Sequence, residues 1–189
     1  FTLCAFGLVS FKYQEIDNKY RELNKNYKSL QESVDKLRYE RNEAQYIGLS
    51  RNFTIYDTSE SKSVAKNVLG KRGINQKEFH PNELLNYIDG VKNLGYYEGC
   101  KDPEANDDID KDDLFFDLFR EFESELHKSN AVDFGGLITG ALNLFETFPD
   151  VLERYQNRFH YVLVDEYQDT NRAQFRLIKL LSQKRRNIC

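Results

Sequence analysis

The feature that most constrains the fold of this chain is the apolar run Tyr161–Val164, which two adjacent carboxylates, Asp165 and Glu166, follow directly. Four apolar residues without polar alternation predict a short strand buried on both faces, as in parallel sheets. Open α/β sheets bind their ligands at the carboxyl edge of such strands. An apolar run before Asp-Glu is common and by itself is more often not catalytic. The run therefore predicts an α/β fold and marks a candidate metal site.

Composition excludes several classes of protein. At 189 residues with 40% hydrophobic content, the chain can form one domain or slightly more. No apolar run approaches the ~18 residues of a membrane span, and no basic-then-apolar leader occurs, so we expect a cytoplasmic protein without a membrane partner. Cys4, Cys100 and Cys189 are scattered and odd in number, which predicts neither disulfides nor a metal cluster. The net charge of −4 neither indicates nor excludes nucleic-acid binding, because local basic patches form that footprint.

A heptad pattern occupies the first quarter of the chain. The segment from Phe11 to Gln45 contains no Gly or Pro. Its apolar residues recur in steps of three and four: Tyr13, Ile16, Tyr20, Leu23, Tyr27, Leu30, Val34 and Leu37. This spacing predicts one long helix over 12–46 with a narrow coiled-coil seam. Such a seam suits a helical hairpin or a coiled-coil partner better than a broad globular core.

Capping signals predict the helices that follow. We expect helices over 58–69, ending at Gly70, and then over 81–94, 111–128 and 149–155. Two more helices follow the caps Asp133 and Asn171, and the second of them ends in the basic residues Lys184–Arg186. The acidic stretch from Cys100 to Asp113 lacks the Gly and the terminal Glu of a calcium loop, so we interpret it as a solvated loop. The most basic local stretch is a candidate surface for contact with nucleic acid such as DNA: Lys62, Lys66, Lys71, Arg72 and Lys77.

The string Val164–Thr170, Val-Asp-Glu-Tyr-Gln-Asp-Thr, resembles motif II, the Walker B box, of superfamily-1 DNA helicases of the UvrD/Rep/PcrA type. Two further landmarks occur in the family's order. Thr2–Phe6 resembles motif Ia, although Cys4 stands where the family has His. Asp133–Ile138 resembles the landmark Asp-Phe-x-Asp-Leu-Leu, although Gly136 stands where the family has an acidic residue.

The resemblance implies a predominantly helical α/β fold. It corresponds to part of a RecA-like P-loop NTPase domain, 1A, interrupted by a helical 1B subdomain that includes the long heptad helix. Residues 1–11 and 156–189 would belong to 1A, and residues 12–155 to 1B. The chain starts without Met inside an apolar segment and ends on Asn187–Cys189, which looks like the start of another strand. We therefore expect a piece of a longer protein.

The resemblance also implies ATP and Mg²⁺ as cofactors, and it assigns roles to the matched positions. Asp165 matches the aspartate that coordinates Mg²⁺, and Glu166 matches the general base that activates water. Gln168 and Asp169 match residues that couple hydrolysis to the DNA-contacting motifs. The motif Ia positions are matched to single-stranded DNA contacts, with Phe6 offering a ring on which a base can stack: Thr2, Cys4 and Phe6.

The leading functional hypothesis is that the chain is a segment of an ATP-dependent DNA helicase or translocase. The family resemblance implies that it moves along DNA in the 3′-to-5′ direction. It would act on single-stranded DNA and on junctions of single- and double-stranded DNA in repair, replication or recombination, in association with the nucleoid. No Gly-x-x-x-x-Gly-Lys-[Ser/Thr] occurs, so the remainder of the helicase would supply the Walker A segment and the second RecA-like domain. We expect this segment alone to be inactive. The alternatives are a helicase subunit of a recombination helicase-nuclease and a non-catalytic coiled-coil interaction module.

Overall fold

Seven α-helices and a two-stranded parallel sheet make up the part of the chain that this computed structural model describes, residues 43–75 and 79–189. The strands are β1 (Thr54–Tyr56) and β2 (Ala131–Asp133). The helices are α1 (Thr58–Lys71), α2 (Pro81–Asn93), α3 (Pro103–Asp107), α4 (Leu114–Lys128), α5 (Phe134–Thr147), α6 (Pro149–Arg158) and α7 (Arg172–Ser182). The predominantly helical composition is confirmed. None of these helices is long and apolar enough to cross a membrane.

Side chains at the predicted helix starts satisfy the first free backbone N–H groups. Asp57 accepts a hydrogen bond from the N–H of Glu60 at 2.9 Å, and the Glu60 carboxylate accepts the N–H of Asp57 at 2.9 Å. Asn171 and Gln174 form the same reciprocal capping box at the start of α7. His80 caps α2 with its imidazole nitrogen. These predicted starts are confirmed, because caps act through residues two or three positions away.

The strands pair in parallel although more than 70 residues separate them. Thr54 lies opposite Ala131, and Tyr56 lies opposite Asp133. Parallel strands cannot be joined by a tight turn and need a crossover connection, which the segment containing α1 to α4 provides here. Because parallel strands end at the same edge, the starts of α1 and α5 lie beside each other.

Two apolar clusters hold the helices together. The first lies between α1, α2 and α4, and its fully buried side chains include Leu69, Leu84, Ile88 and Phe122. Each such side chain contributes about 1.5–3 kcal/mol relative to an exposed position. The second cluster joins α5, α6 and the apolar face of α7: Leu144, Phe145, Val151, Leu152, Leu177, Leu180 and Leu181.

Several helix ends differ from the predictions. Helix α1 continues through Gly70 to Lys71, and the left-handed residue beyond it is Gly73, with φ of 67°. A helical glycine costs only about 1 kcal/mol, so packing can carry a helix past it. Helix α4 begins at Leu114 rather than at position 111, and α6 runs on to Arg158 rather than ending at position 155.

Most of the predicted heptad helix lies outside the described residues, as does the motif Ia segment 1–11. The structure describes only the end of the 12–46 prediction, a 3-10 turn over Ala44–Ile47. Gly48 ends this turn with φ of 81°, as predicted. A Cβ atom added at Gly48 would lie 2.8 Å from Nε2 of His127, so glycine also permits this close approach. The subdomain boundaries after residues 11 and 155 stay predictions.

Candidate active site

The run Tyr161–Val164 ends where the sequence predicts. The backbone N–H of Val162 donates to Asn187 O at 2.9 Å, and that of Val164 donates to Cys189 O at 2.8 Å. Cys189 N–H donates back to Val162 O at 3.1 Å, and Val162 pairs in parallel with Ile188. The sequence predicts that Asn187–Cys189 begins a strand, whereas the structure gives it one isolated parallel bridge, at Ile188, rather than a strand. Asp165 therefore directly follows the last hydrogen bond of this short ladder.

The prediction that the run is buried on both faces is wrong for the described chain. Tyr161 is 75% exposed and Leu163 is 82% exposed, whereas Val162 and Val164 are partly buried. Alternate strand residues point to opposite faces, so Tyr161 and Leu163 share one face. Within residues 43–75 and 79–189, nothing covers that face, and the segment ending in Cys189 is the run's hydrogen-bonded neighbour.

A strained turn follows the run. Glu166 has φ of 50° and ψ of 41°, the left-handed conformation, and the 3-10 turn Tyr167–Asp169 begins immediately after it. Asp169 N–H donates to Glu166 O at 2.9 Å, which closes the turn. A non-glycine residue pays about 1–2 kcal/mol for this conformation. Such strain is concentrated at functional sites, which makes the turn a candidate site on backbone geometry alone.

The structure brings three of the predicted site residues into direct contact. The backbone N–H of Glu166 donates to Asp165 Oδ1 at 2.9 Å, and Gln168 Nε2 donates to Glu166 Oε2. Asp169 belongs to the same turn, and all four side chains are exposed. The exposed carboxylates of Asp165 and Glu166 thus lie directly after the hydrogen-bonded run Tyr161–Val164, open to a ligand.

The chemistry of this edge fits a magnesium–nucleotide complex better than a resident metal. In the described part of the chain, no three His, Cys, Asp or Glu side chains converge as metal ligands. Protein-bound Mg²⁺ commonly uses one or two carboxylates and takes its other ligands from substrate phosphates and water. Asp165 and Glu166 can supply that number of oxygen ligands, whereas a structural zinc site would need four protein ligands.

The predicted DNA contacts are only partly within the structure. Thr2, Cys4 and Phe6 lie outside the described residues. In the basic stretch, Lys71 pairs with Glu125 at 2.6 Å, and Arg72 pairs with Glu121 at 2.6 Å. Helix α4 therefore neutralises part of this patch with its own carboxylates.

A buried network around Asp133 joins α2, α4 and α5. Asp133 caps α5 by accepting the N–H of Gly136 at 2.7 Å, and its two oxygens lie 2.6 and 2.8 Å from Lys92 Nζ. Glu123 lies 2.6 Å from the same nitrogen. Burial acts to lower the pKa of Lys92, but the two carboxylates outweigh it, so the pKa is raised. A Cβ atom at Gly136 would lie 2.8 Å from Asp133 Oδ1, so glycine leaves this cap uncrowded.

Sequence reasoning missed the two arginines of α7, Arg172 and Arg176. Arg172 pairs with Glu104 and lies 3.0 Å from Asp102, and Arg176 Nε lies 3.2 Å from Asp102. Burial would raise the pKa of Asp102, but the hydrogen bond from Arg172 and the charge of Arg176 hold it below its usual range. The interpretation of the acidic stretch as a solvated loop is therefore wrong at Asp102. The available signal was the i, i+4 spacing of the arginines, which places both on one helix face.

Comparison with known proteins agrees with the motif II resemblance. The family model for the UvrD/REP helicase N-terminal domain matches residues 12–189. The ATP-dependent DNA helicase PcrA of Staphylococcus epidermidis is 41% identical over 153 residues, which cover 81% of this chain and 21% of that protein. PcrA of Staphylococcus aureus shows the same identity and coverage. The chain thus spans about a fifth of the length of these relatives. On this evidence the chain belongs to the UvrD/REP helicase family, with the match lying in the family's N-terminal domain.

Proposed function

We propose that the complete protein is an ATP-dependent DNA helicase or translocase in which the turn after Val164 is the hydrolytic edge. The observation that carries the proposal is the left-handed Glu166, which follows Asp165 directly after the last hydrogen bond of the Tyr161–Val164 run. Both carboxylates are exposed there. The relatives named ATP-dependent DNA helicases support the same reading of the motif.

In this mechanism, Asp165 and Glu166 have different roles, metal binding and general-base catalysis. Asp165 would hold the Mg²⁺ that accompanies ATP, and the ion would neutralise charge developing on the phosphates. Glu166 would orient the attacking water and accept its proton as the water oxygen bonds to the γ-phosphorus and the bond from that phosphorus to the bridging oxygen of ADP breaks. The hydrogen bond from Gln168 to Glu166 Oε2 supports a role for Gln168 in orienting that carboxylate.

The coupling to DNA rests on the family resemblance. Gln168 and Asp169 would tie hydrolysis to the adjoining DNA-contacting motifs. Single-stranded DNA would contact the motif Ia positions, where Phe6 would stack on a base: Thr2, Cys4 and Phe6. We infer 3′-to-5′ movement, a role in repair, replication or recombination, and dependence on a Walker A segment and a second RecA-like domain from the rest of the protein.

The test is DNA-stimulated ATP hydrolysis by the complete protein, comparing wild type with Glu166→Gln. This variant keeps the size of the side chain but removes the base. We expect turnover to fall at least ~100-fold, the lower end for a positioned general base. ATP binding, measured with a fluorescent analogue, should be retained.

A matched control is Glu83→Gln on α2. Glu83 is also exposed, and it lies in the first turn of that helix, far along the chain from Glu166. The Glu83→Gln variant should hydrolyse ATP like wild type. Normal turnover by Glu166→Gln would remove Glu166 from the catalytic role, and a folded wild type without DNA-stimulated hydrolysis would contradict the helicase proposal. Nuclease activity alongside hydrolysis would indicate the helicase-nuclease alternative.

A further inference from the structure

Arg176 of α7 is the centre of a buried polar network that the motif II roles do not use. Its side chain is 11% exposed. Nη2 donates to the Glu146 carboxylate at 2.6 and 2.8 Å, and Nη1 donates to Gly95 O at 2.9 Å. Nε lies 3.2 Å from Asp102. One guanidinium therefore binds three separate segments through its three nitrogens, which its rigid fork geometry allows.

The backbone at Gly95 is shaped around this arginine. Gly95 has φ of 83°, and an added Cβ atom would lie 2.7 Å from Arg176 Nη1. Both the conformation and the close approach require glycine. A second tie holds the start of α7, because Asn171 Nδ2 donates to Asn93 Oδ1 at 2.7 Å. Helix α7 is thus attached to the end of α2, to the loop that follows it and to α5.

Helix α7 connects the two supports of the motif II turn. At its beginning, Asn171 follows the turn by two residues. Beyond its end, the chain returns through Asn187–Cys189, which pairs with Val162 and Val164 directly before Asp165. A shift of α7 therefore moves Asn171, which follows the turn. It also moves the Asn187–Cys189 segment, whose hydrogen bonds hold the run before the turn.

We propose that Arg176 is a positioning residue for the motif II carboxylates. By holding α7 against Glu146, Gly95 and Asp102, it sets the place of Asp165 and Glu166 relative to the rest of the fold. The inference rests on the proposed ATP hydrolysis. It predicts that loss of Arg176 lowers the rate of the chemical step more than it weakens nucleotide binding.

The experiment compares ATP turnover by the complete wild-type protein with turnover by its Arg176→Met and Arg176→Lys variants. Each rate is divided by the number of nucleotide-binding sites, which is measured by titration with a fluorescent ADP analogue. Arg176→Met should lower kcat roughly 10- to 100-fold, as misplacement of catalytic groups by about 1 Å does, with KM for ATP and the number of binding sites unchanged. Arg176→Lys keeps the charge but loses the fork, so its kcat should lie between those of Arg176→Met and wild type.

A purely structural role would give a different result, because unfolding removes binding sites and turnover in the same proportion. Arg176→Met/Glu146→Gln keeps the test informative if the single variant does not fold, since it removes the unpaired charge while Tyr97 can still hydrogen-bond residue 146.

Arg120→Met is the control, because Arg120 is exposed and pairs loosely with Glu98 at 3.7 Å. Wild-type kcat per site in Arg176→Met or in Arg176→Met/Glu146→Gln would overturn the inference, as would a loss of sites in proportion to the loss of turnover. Absence of turnover in wild type would instead overturn the proposed function, and this inference with it.

Discussion

At the residue scale, the backbone of Glu166 separates this position from an ordinary exposed glutamate. Asn130 and Arg186 also have positive φ, at 49° and 57°, but neither follows a carboxylate as Glu166 does, and asparagine tolerates the left-handed region through local hydrogen bonds. A glutamate side chain makes no such local hydrogen bonds with its own backbone, so the left-handed conformation of Glu166 lowers the free energy of unfolding. The proposed catalytic role gives a physical reason to keep a carboxylate in this conformation.

Comparing Glu166→Gly with Glu166→Ala tests this strain. Both variants remove the carboxylate, but only glycine adopts positive φ without penalty. We expect Glu166→Gly to be more stable than Glu166→Ala by about 1 kcal/mol in urea unfolding, the reverse of their order inside a helix. Greater stability of the alanine variant would show that residue 166 is not strained.

At the scale of single elements, local signals account for helix starts better than for helix ends and faces. The apolar stripe predicted for α4 is confirmed at Phe122, which is fully buried, but Leu114 is 47% exposed. Leu114 is the first residue of the helix, whereas the next residue, Phe115, already packs against Tyr87 of α2 with ring centroids 5.2 Å apart. Periodicity indicates which face is apolar, whereas the neighbouring helices determine how far along the helix that face is covered.

Phe122→Ala and Leu114→Ala test this difference within one helix. Phe122→Ala leaves a cavity between α1, α2 and α4 and should lower the free energy of unfolding by about 3–5 kcal/mol. Leu114→Ala should change it by less than about 1 kcal/mol, because its side chain is already half in solvent. Chemical denaturation of the two variants measures both values. Similar losses would mean that α4 buries Leu114 as well.

At the scale of the whole molecule, buried charges join elements that are distant in sequence. Lys92 of α2 is 2% exposed and contacts Glu123 of α4 and Asp133 at the start of α5. Its aliphatic chain also passes Gly135, where an added Cβ would lie 2.8 Å from Lys92 Cδ. One side chain therefore sets the relative placement of three helices.

Lys92→Met should lower the free energy of unfolding by about 3–5 kcal/mol, because it leaves two carboxylates without their cation. The triple variant Lys92→Met/Glu123→Gln/Asp133→Asn removes those charges and should recover most of the loss. Since the pKa of Lys92 is raised in the folded state, its stabilising contribution is complete below the ordinary lysine value of 10.5 and is lost as the pH rises through the higher folded value. The stability difference between wild type and Lys92→Met should therefore shrink in strongly alkaline buffer. A triple variant as unstable as Lys92→Met would contradict the charge argument.

Features whose causes lie within a few residues can be read from the amino-acid sequence alone. The capping boxes at Asp57 and Asn171, the end of the first described turn at Gly48 and the end of the Tyr161–Val164 run before Asp165 all follow from local hydrogen bonds and backbone preferences. The family also follows from a short chemical string, because Val164–Thr170 carries the motif without reference to its surroundings.

Only the tertiary structure decided which distant groups meet. Arg176 binds Gly95 and Glu146, which are 81 and 30 residues away, and Lys92 binds Asp133 across 41 residues. The residues near Arg176 and Lys92 in the sequence do not predict which groups these cations bind, because the packing of whole helices determines which charges become buried together. The sequence does not predict the left-handed backbone at Glu166 either, because glutamate has no intrinsic preference for it. The conformation results from closing a turn between two hydrogen-bonded segments.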